Sequence, residues 1–208
     1  MGEEATEARE APIVNIFGEN VCLGPLRREN IPLHARWLND FFVLRTFGEV
    51  PKPRTIERQT ASFESASRDD DSIRFTIYET GSWRPVGSTA LFEVDHYYGT
   101  ATFGLLIGEA DARGRGYGTE VARLMLDYAF TALGLHNVLL EVDEFNLAGR
   151  KAYERAGFKE IGRRREVTRL SGRRWDLIFM DCLAHEFEST VLAKIFRPVE
   201  RGWPSPRP

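Results

Sequence analysis

The chain has 208 residues, 42% apolar and 28% charged, with a formal net charge of -3. That length suits one domain with a full core, and so small a charge excludes a generic binder of nucleic acid or of anionic membranes. Two distant cysteines and four scattered histidines exclude a disulfide framework and a spaced metal site.

Residues 1–12 are acidic and polar, the opposite of a targeting peptide, and read as a disordered leader. The domain is expected over residues 13–187. Residues 188–208 read as an extension with a proline-rich, flexible end. No apolar run approaches the roughly 18 residues of a membrane span. A cytoplasmic protein with reduced, buried Cys22 and Cys182 is expected.

A short strand, Val21, Cys22 and Leu23 with Leu26, comes first. Residues 28–40 read as a helix in two pieces, and residues 46–54 as a loop broken by Pro51 and Pro53. A helix follows over 55–66, capped by Thr55. Strands are expected at 73–78, 85–94 and 100–107, the last two joined by a glycine-containing hairpin at 95–99. A long helix runs from Gly116 to about Leu133, with Val121, Leu124, Met125, Tyr128, Ala129 and Ala132 at helical spacing and Gly134 as its stop. A strand at 138–142 comes next. Asn146 caps a helix over 147–156, which Gly157 ends. The last hairpin pairs 159–170 with 173–183 around Ser171-Gly172. Antiparallel hairpins with one crossover give an α/β fold with a mixed sheet.

Residues 113–118, Arg-Gly-Arg-Gly-Tyr-Gly, lie between a strand and the long helix. Alternate glycines remove the Cβ atoms that would hold a ligand off the backbone. Successive amides and the helix N-terminus favour an anion, and Arg113 and Arg115 add charge. A Walker loop is excluded because no lysine precedes Thr119. The dinucleotide fingerprint fits poorly, because Gly114, Gly116 and Gly118 have the wrong spacing and lie in mid-chain.

This loop and the segments on either side of it resemble the GNAT superfamily of N-acetyltransferases over about residues 20–187. Arg113, Gly116 and Gly118 match the family's Arg/Gln-x-x-Gly-x-Gly/Ala pattern. Tyr128-Ala129-Phe130, Leu133-Gly134-Leu135-His136, Asn146 and Tyr153-Glu154-Arg155-Ala156-Gly157-Phe158 extend the match, with Glu160, Gly162, Asp176 and Met180. The resemblance is strongest to the branch of ribosomal-protein N-terminal and spermidine acetyltransferases.

The resemblance implies a single domain with a splayed mixed sheet flanked by helices. It implies acetyl-CoA as co-substrate and no metal. Pantetheine is expected near Leu106 and Ile107, and pyrophosphate on the amides of Gly114, Arg115, Gly116, Tyr117, Gly118 and Thr119. Asn146 is expected beside pantetheine and also as a helix cap. Lys151 is either a contact to the 3′-phosphate or a solvated lysine. Gly149 replaces a more usual Ala or Ser, which keeps room for the cofactor. Tyr153 is the expected general acid, its alternative being an aromatic core residue. Glu141, Asp143 and Glu49 are candidate bases, each also readable as an ordinary carboxylate.

The acceptor is expected to be a primary amine: a protein N-terminus, a polyamine, an amino sugar or an aminated antibiotic. Another acyl donor, or CoA binding without turnover, are the alternatives. The acceptor site is expected between the first two helices, loop 46–54 and hairpin 95–99. Trp37, Phe41, Phe42, Phe47, Tyr97 and Tyr98, with Asp40, Glu49 and Asp95, would hold a cation there. The basic hairpin carrying Arg163, Arg164, Arg165, Arg169, Arg173 and Arg174 reads as a solvated surface or homodimer edge. Its alternative is a docking surface for an acidic partner or an RNA-rich particle.

Overall fold

A computed structural model describes residues 11–48 and 50–197; the leader to residue 10, Glu49 and the tail from residue 198 lie outside the described residues. The strands are β1 Ile16–Phe17, β2 Val21–Pro25, β3 Ile73–Glu79, β4 Pro85–Asp95, β5 Thr100–Ile107, β6 Asn137–Asp143, β7 Lys159–Leu170 and β8 Arg173–Leu183. The helices are α1 Ile31–Trp37, α2 Phe41–Leu44, α3 Ile56–Ala66, α4 Tyr117–Asp127 and α5 Leu147–Ala156.

The strands form one sheet in the order β1-β2-β3-β4-β5-β6-β8-β7. The parallel neighbours are β5 and β6, and their ladder runs only from Thr100–Asn137 to Thr102–Leu139. Beyond it β5 stays paired with β4 as far as Ile107, while β6 stays paired with β8 as far as Asp143. The two halves of the sheet therefore part. A gap opens beside residues 103–107, where β5 has no strand opposite one of its edges.

The long amphipathic helix α4 fixes this geometry. Val121, Ala122, Leu124 and Met125 bury against Leu91, Phe103 and Leu140 from strands on both sides of the gap. Helices α1 and α3 lie over the other face, above Ser88, Ala90 and Phe92, which alternate with the α4-facing residues of β4.

Capping holds the ends. The Thr55 side chain accepts from the Arg58 amide, and the Asn146 side chain accepts from the Gly149 amide. Such caps stabilise a helix by about 1 kcal/mol each. Gly157 ends α5 at φ 118°, a backbone angle that favours glycine. Glu120, in the first turn of α4, accepts from the amides of Glu19 and Asn20 and so ties the β1–β2 turn to the helix.

Some local features depart from the sequence reading. The helix expected to reach Leu133 widens into a π-turn at Tyr128–Ala132. Just before it, buried Asp127 accepts from the amides of Val191 and Leu192 and from the hydroxyls of Ser189 and Thr131. That carboxylate stitches down residues 189–192, at the start of the expected extension. At the other end Pro12, assigned to the leader, is buried. Strand β1 and helix α2 have no counterpart in the sequence reading; at two and four residues they are too short for a periodic signal.

Candidate active site

The gap leads into a cavity of about 420 Å³, lined on one side by Leu105, Leu106, Ile107 and residues of the glycine loop, on the other by Asn146, Gly149, Lys151, Ala152 and Tyr153. The Gly108 amide donates to Val86 of β4, so by strand alternation Leu106 also turns its backbone toward β4. Leu105 and Ile107 turn theirs into the gap. The expectation of pantetheine at Leu106 and Ile107 thus shifts to Leu105 and Ile107, with Leu106 contributing to the wall.

The loop presents bare amides. Gly114 and Gly116 have φ of 74° and 86°, which aims successive N–H groups the same way. The first helical amides with backbone partners are those of Thr119 and Glu120, both donating to Gly116. Among the described residues, the amides of 114–118 donate to nothing. Five unpaired donors at the positive end of α4 fit a pyrophosphate.

The arginines are engaged otherwise. Arg113 donates from Nε to the Ile107 carbonyl at 3.2 Å and from Nη2 to the Gly108 carbonyl at 2.8 Å, so it braces the end of β5. Arg115 donates to Glu79 at 2.6 Å, and its side chain is not part of the cavity lining. Tyr117 is buried and donates its hydroxyl to the same carboxylate, which leaves only its backbone for a ligand. Lys151 is exposed on the rim, and Arg155, which was not singled out from sequence, lines the cavity beside it. A Cβ at Gly149 would come within 2.6 Å of Asn146 Nδ2, so a larger residue there would need the capping side chain to shift.

Tyr153 lines the cavity and meets Phe103 edge-on at 6.0 Å and Phe158 at 6.1 Å. Burial pushes its hydroxyl up to about 12. That oxygen has no hydrogen bond to another described residue. Both cysteines are buried away from the cavity with thiols pushed up to about 11, mainly by burial, so neither is an acyl-accepting nucleophile.

A second cavity of about 310 Å³ lies beneath α1 and α3 and shares Phe47, Leu105 and Leu106 with the first. Its polar lining includes Arg27, His34, Arg54, Gln59 and Arg74, with no Asp or Glu among the described residues. Burial pushes the His34 imidazole down to about 4, so it is neutral at physiological pH. None of these five polar residues was singled out from sequence as part of the site. They are scattered between Arg27 and Arg74, and no spacing rule links them.

Several expected acceptor residues lie elsewhere. Trp37 is buried in the core, its ring filling the space that a Cβ on Gly108 would need. Asp40 caps α2 through the Phe42 amide. Tyr97 and Tyr98 are 87% and 73% exposed on the hairpin tip, outside both cavities. Asp95 and Glu141 line a separate open depression, with Asp69, Asp71 and Glu93. Phe41 is exposed and lines neither cavity, whereas Phe42 lines the first. Asp143 is buried and accepts from the Thr168 hydroxyl at 2.6 Å. In the last hairpin, Arg163 pairs with Glu144, Glu160 and Asp176, all away from the cavities.

Residues 20–159 match the family model described as the acetyltransferase (GNAT) domain. The chain is 27% identical over 168 residues to spermidine N(1)-acetyltransferase of Escherichia coli, covering 81% of this chain and 88% of that protein. It is 26% identical over 160 residues to human alpha/beta-tubulin-N-acetyltransferase 9, covering 70% of this chain and 75% of that one. In fold it is similar to spermidine N-acetyltransferase from Vibrio cholerae solved with CoA and spermine. The TM-score is 0.74 at 24% identity, over 80% of this chain and 97% of that one.

Proposed function

The chain belongs to the acetyltransferase (GNAT) family and is an N-acetyltransferase, and from that premise we propose that the split-sheet cavity holds acetyl-CoA while the second cavity presents a primary amine to it. The observation that carries this reading is the run of unpaired amides at residues 114–118, at the mouth of a gap that opens onto a second cavity. Gly114, Gly116 and Gly118 leave the backbone uncovered, and Lys151 and Arg155 stand on the rim to meet further phosphate charge.

The thioester supplies an activated acyl carbon. The chain's residues do the rest. The Ile107 amide, facing the gap, is placed to donate to the oxygen that gains charge when the amine nitrogen attacks that carbon. Arg113 keeps the amide in place by holding the carbonyls of Ile107 and Gly108. The carbon–sulfur bond then breaks, and the hydroxyl of Tyr153, which lines the cavity, donates to the leaving sulfur. With its pKa about 12 against roughly 8.5 for a thiol, complete proton transfer would cost about 5 kcal/mol. Tyr153 therefore acts chiefly as a hydrogen-bond donor, and solvent completes the protonation.

The amine must attack unprotonated. No carboxylate lines the second cavity among the described residues. The amine therefore enters in its free-base form from solution, and the proton that nitrogen sheds as the amide forms passes to solvent. Neutral His34 offers a hydrogen-bond acceptor instead.

Thermal-shift titration with acetyl-CoA, then thiol release over a panel of primary amines, tests the reading. Stabilisation followed by amine-dependent thiol release is expected. Absence of any stabilisation by acetyl-CoA refutes the donor site. Succinyl-CoA in parallel tests whether the acyl group is acetyl.

A further inference from the structure

The relatives named for spermidine act on a polycation, yet the acceptor cavity here has the opposite chemistry. Its charged lining is Arg27, Arg54 and Arg74. The carboxylates that approach Arg27 and Arg74 stand outside it. Glu29 pairs with Arg27 at the surface, and Asp69 reaches Arg74 only at 3.9 Å. Arg74 lies over the Phe92 ring, 5.0 Å from its centre, and Phe92 is itself part of the wall. Gln59 is 9% exposed in the same wall, and its side-chain oxygen has no protein partner among the described residues. His34 adds no charge.

Ammonium groups in this cavity would sit among guanidiniums, with no carboxylate in the lining among the described residues. An anion would meet the planar donor forks of Arg27 and Arg74, suited to carboxylate and phosphate. The spacing is set by the sheet. Arg74 on β3 is opposite Ala90 on β4, which is opposite Gly104 on β5, next to the shared wall at Leu105 and Leu106. Two strand spacings are roughly 10 Å. The acid-lined depression beyond Phe92, with Asp69, Asp71, Glu93, Asp95 and Glu141, lies outside the cavity.

We propose that the acceptor is a small primary amine carrying a carboxylate or phosphate several bonds from the reacting nitrogen. The arginine-lined end of the cavity receives the anion, and the Gln59 oxygen accepts a hydrogen bond from the acceptor. The proposal rests on acetyl-CoA occupying the split-sheet cavity, because only that placement puts the reacting end at Leu105 and Leu106.

The test uses the full chain with saturating acetyl-CoA and measures thiol release. The acceptors are glycine, 6-aminohexanoate and its amide, 6-aminohexyl phosphate, hexylamine and spermidine. The long anionic amines are expected to exceed the amide, hexylamine, glycine and spermidine at least tenfold in kcat/KM. The two anionic arms show which head group is preferred. Arg74→Gln is expected to reduce the anion preference at least fivefold while stabilisation by acetyl-CoA is unchanged, which also shows that the variant folds. Arg27→Gln provides a second variant with the same readout. Equal use of 6-aminohexanoate and its amide, or preference for spermidine, overturns the proposal. Lack of stabilisation by acetyl-CoA in the unmodified chain instead refutes the donor site, so the two failures are distinguishable.

Discussion

Gly118→Ala separates a glycine kept for a ligand from one kept for the fold. Gly118 sits in the first turn of α4, outside the positive-φ region that Gly114 and Gly116 occupy. A Cβ built there would be 3.6 Å from Leu105 and 3.8 Å from Ala152, ordinary contact distances. The ligand-free protein therefore has room for alanine. Alanine also favours a helix over glycine by up to about 1 kcal/mol. For a chain of this size that raises Tm by about 2–4 °C.

The same methyl group would project from a residue lining the donor cavity, among the amides proposed to hold pyrophosphate. The GNAT pattern admits alanine at this last position, so a tenfold loss of acetyl-CoA affinity is the expected maximum, about 1.4 kcal/mol. At a ligand concentration near 100 Kd, binding stabilises by about 2.7 kcal/mol, and a tenfold weaker Kd halves that to about 1.4. Differential scanning fluorimetry with and without acetyl-CoA reads both effects. Unliganded Tm should rise and the ligand-induced increment should fall by no more than half. A rise in Tm with the increment reduced by more than half would refute room for alanine beside the proposed pyrophosphate. A fall in unliganded Tm would refute the packing argument.

Tyr153→Phe should retain acetyl-CoA affinity, measured by the same titration, and lose turnover at least tenfold; unchanged thiol release would end its role as donor to sulfur. Because burial pushes the Tyr153 hydroxyl up to about 12, its protonated form persists through alkaline pH. The pH profile of kcat/KM should therefore climb toward the amine's own pKa with no descending limb below about pH 10; a fall near pH 8 would point to another acid. Asp127→Ala should lower stability by about 3 kcal/mol, because a charged acceptor is lost and the partly buried amide of Val191 and the buried amide of Leu192 are left unpaired. Urea unfolding checks this, and a loss below 1 kcal/mol would mean that residues 189–192 are not held by this carboxylate. Burial alone would raise the Asp127 pKa, but hydrogen bonds from Ser189, Leu192, Thr131 and Val191 more than offset it and hold it below the usual value. Its contribution is complete above the unfolded carboxylate pKa near 4 and declines as pH falls through the folded one. The stability gap between native and variant should thus narrow in acid.

The parts of the fold legible in the sequence are those that local chemistry dictates. Asn146 and Gly157 mark both ends of α5, and Ser171-Gly172, with φ of 53° and 76°, fixes the last hairpin. The glycine loop is legible because the proposed pyrophosphate contact needs missing Cβ atoms, and missing Cβ atoms are visible as letters. The π-turn at Tyr128–Ala132 is not legible. Its residues keep helical spacing, and the segment held by neighbouring Asp127 lies more than sixty positions away. Sequence alone cannot say that Leu106 turns its backbone away from the gap, because strand phase depends on the partner strand. The Gly108 bond to Val86 sets that phase, and no local pattern reports it.

The same contrast explains why the donor can be inferred before the acceptor. Backbone groups make the donor cradle, so its requirement is for glycines in one short run. Side chains from a turn, two helices, a loop and a strand make the acceptor wall, and they converge only after the sheet has formed. Aromatics and acids close to one another in sequence, such as Asp95, Tyr97 and Tyr98, are the natural candidates. The sheet carries them away instead, and brings Arg27, His34, Arg54, Gln59 and Arg74 together. The two cavities touch only at Phe47, Leu105 and Leu106. Substitutions in the acceptor wall can therefore change charge and shape without disturbing the amides at 114–118. A shared donor chemistry is compatible with relatives named for acceptors as unlike as spermidine and tubulin, and the arginines of this wall, not the family likeness, should decide the amine.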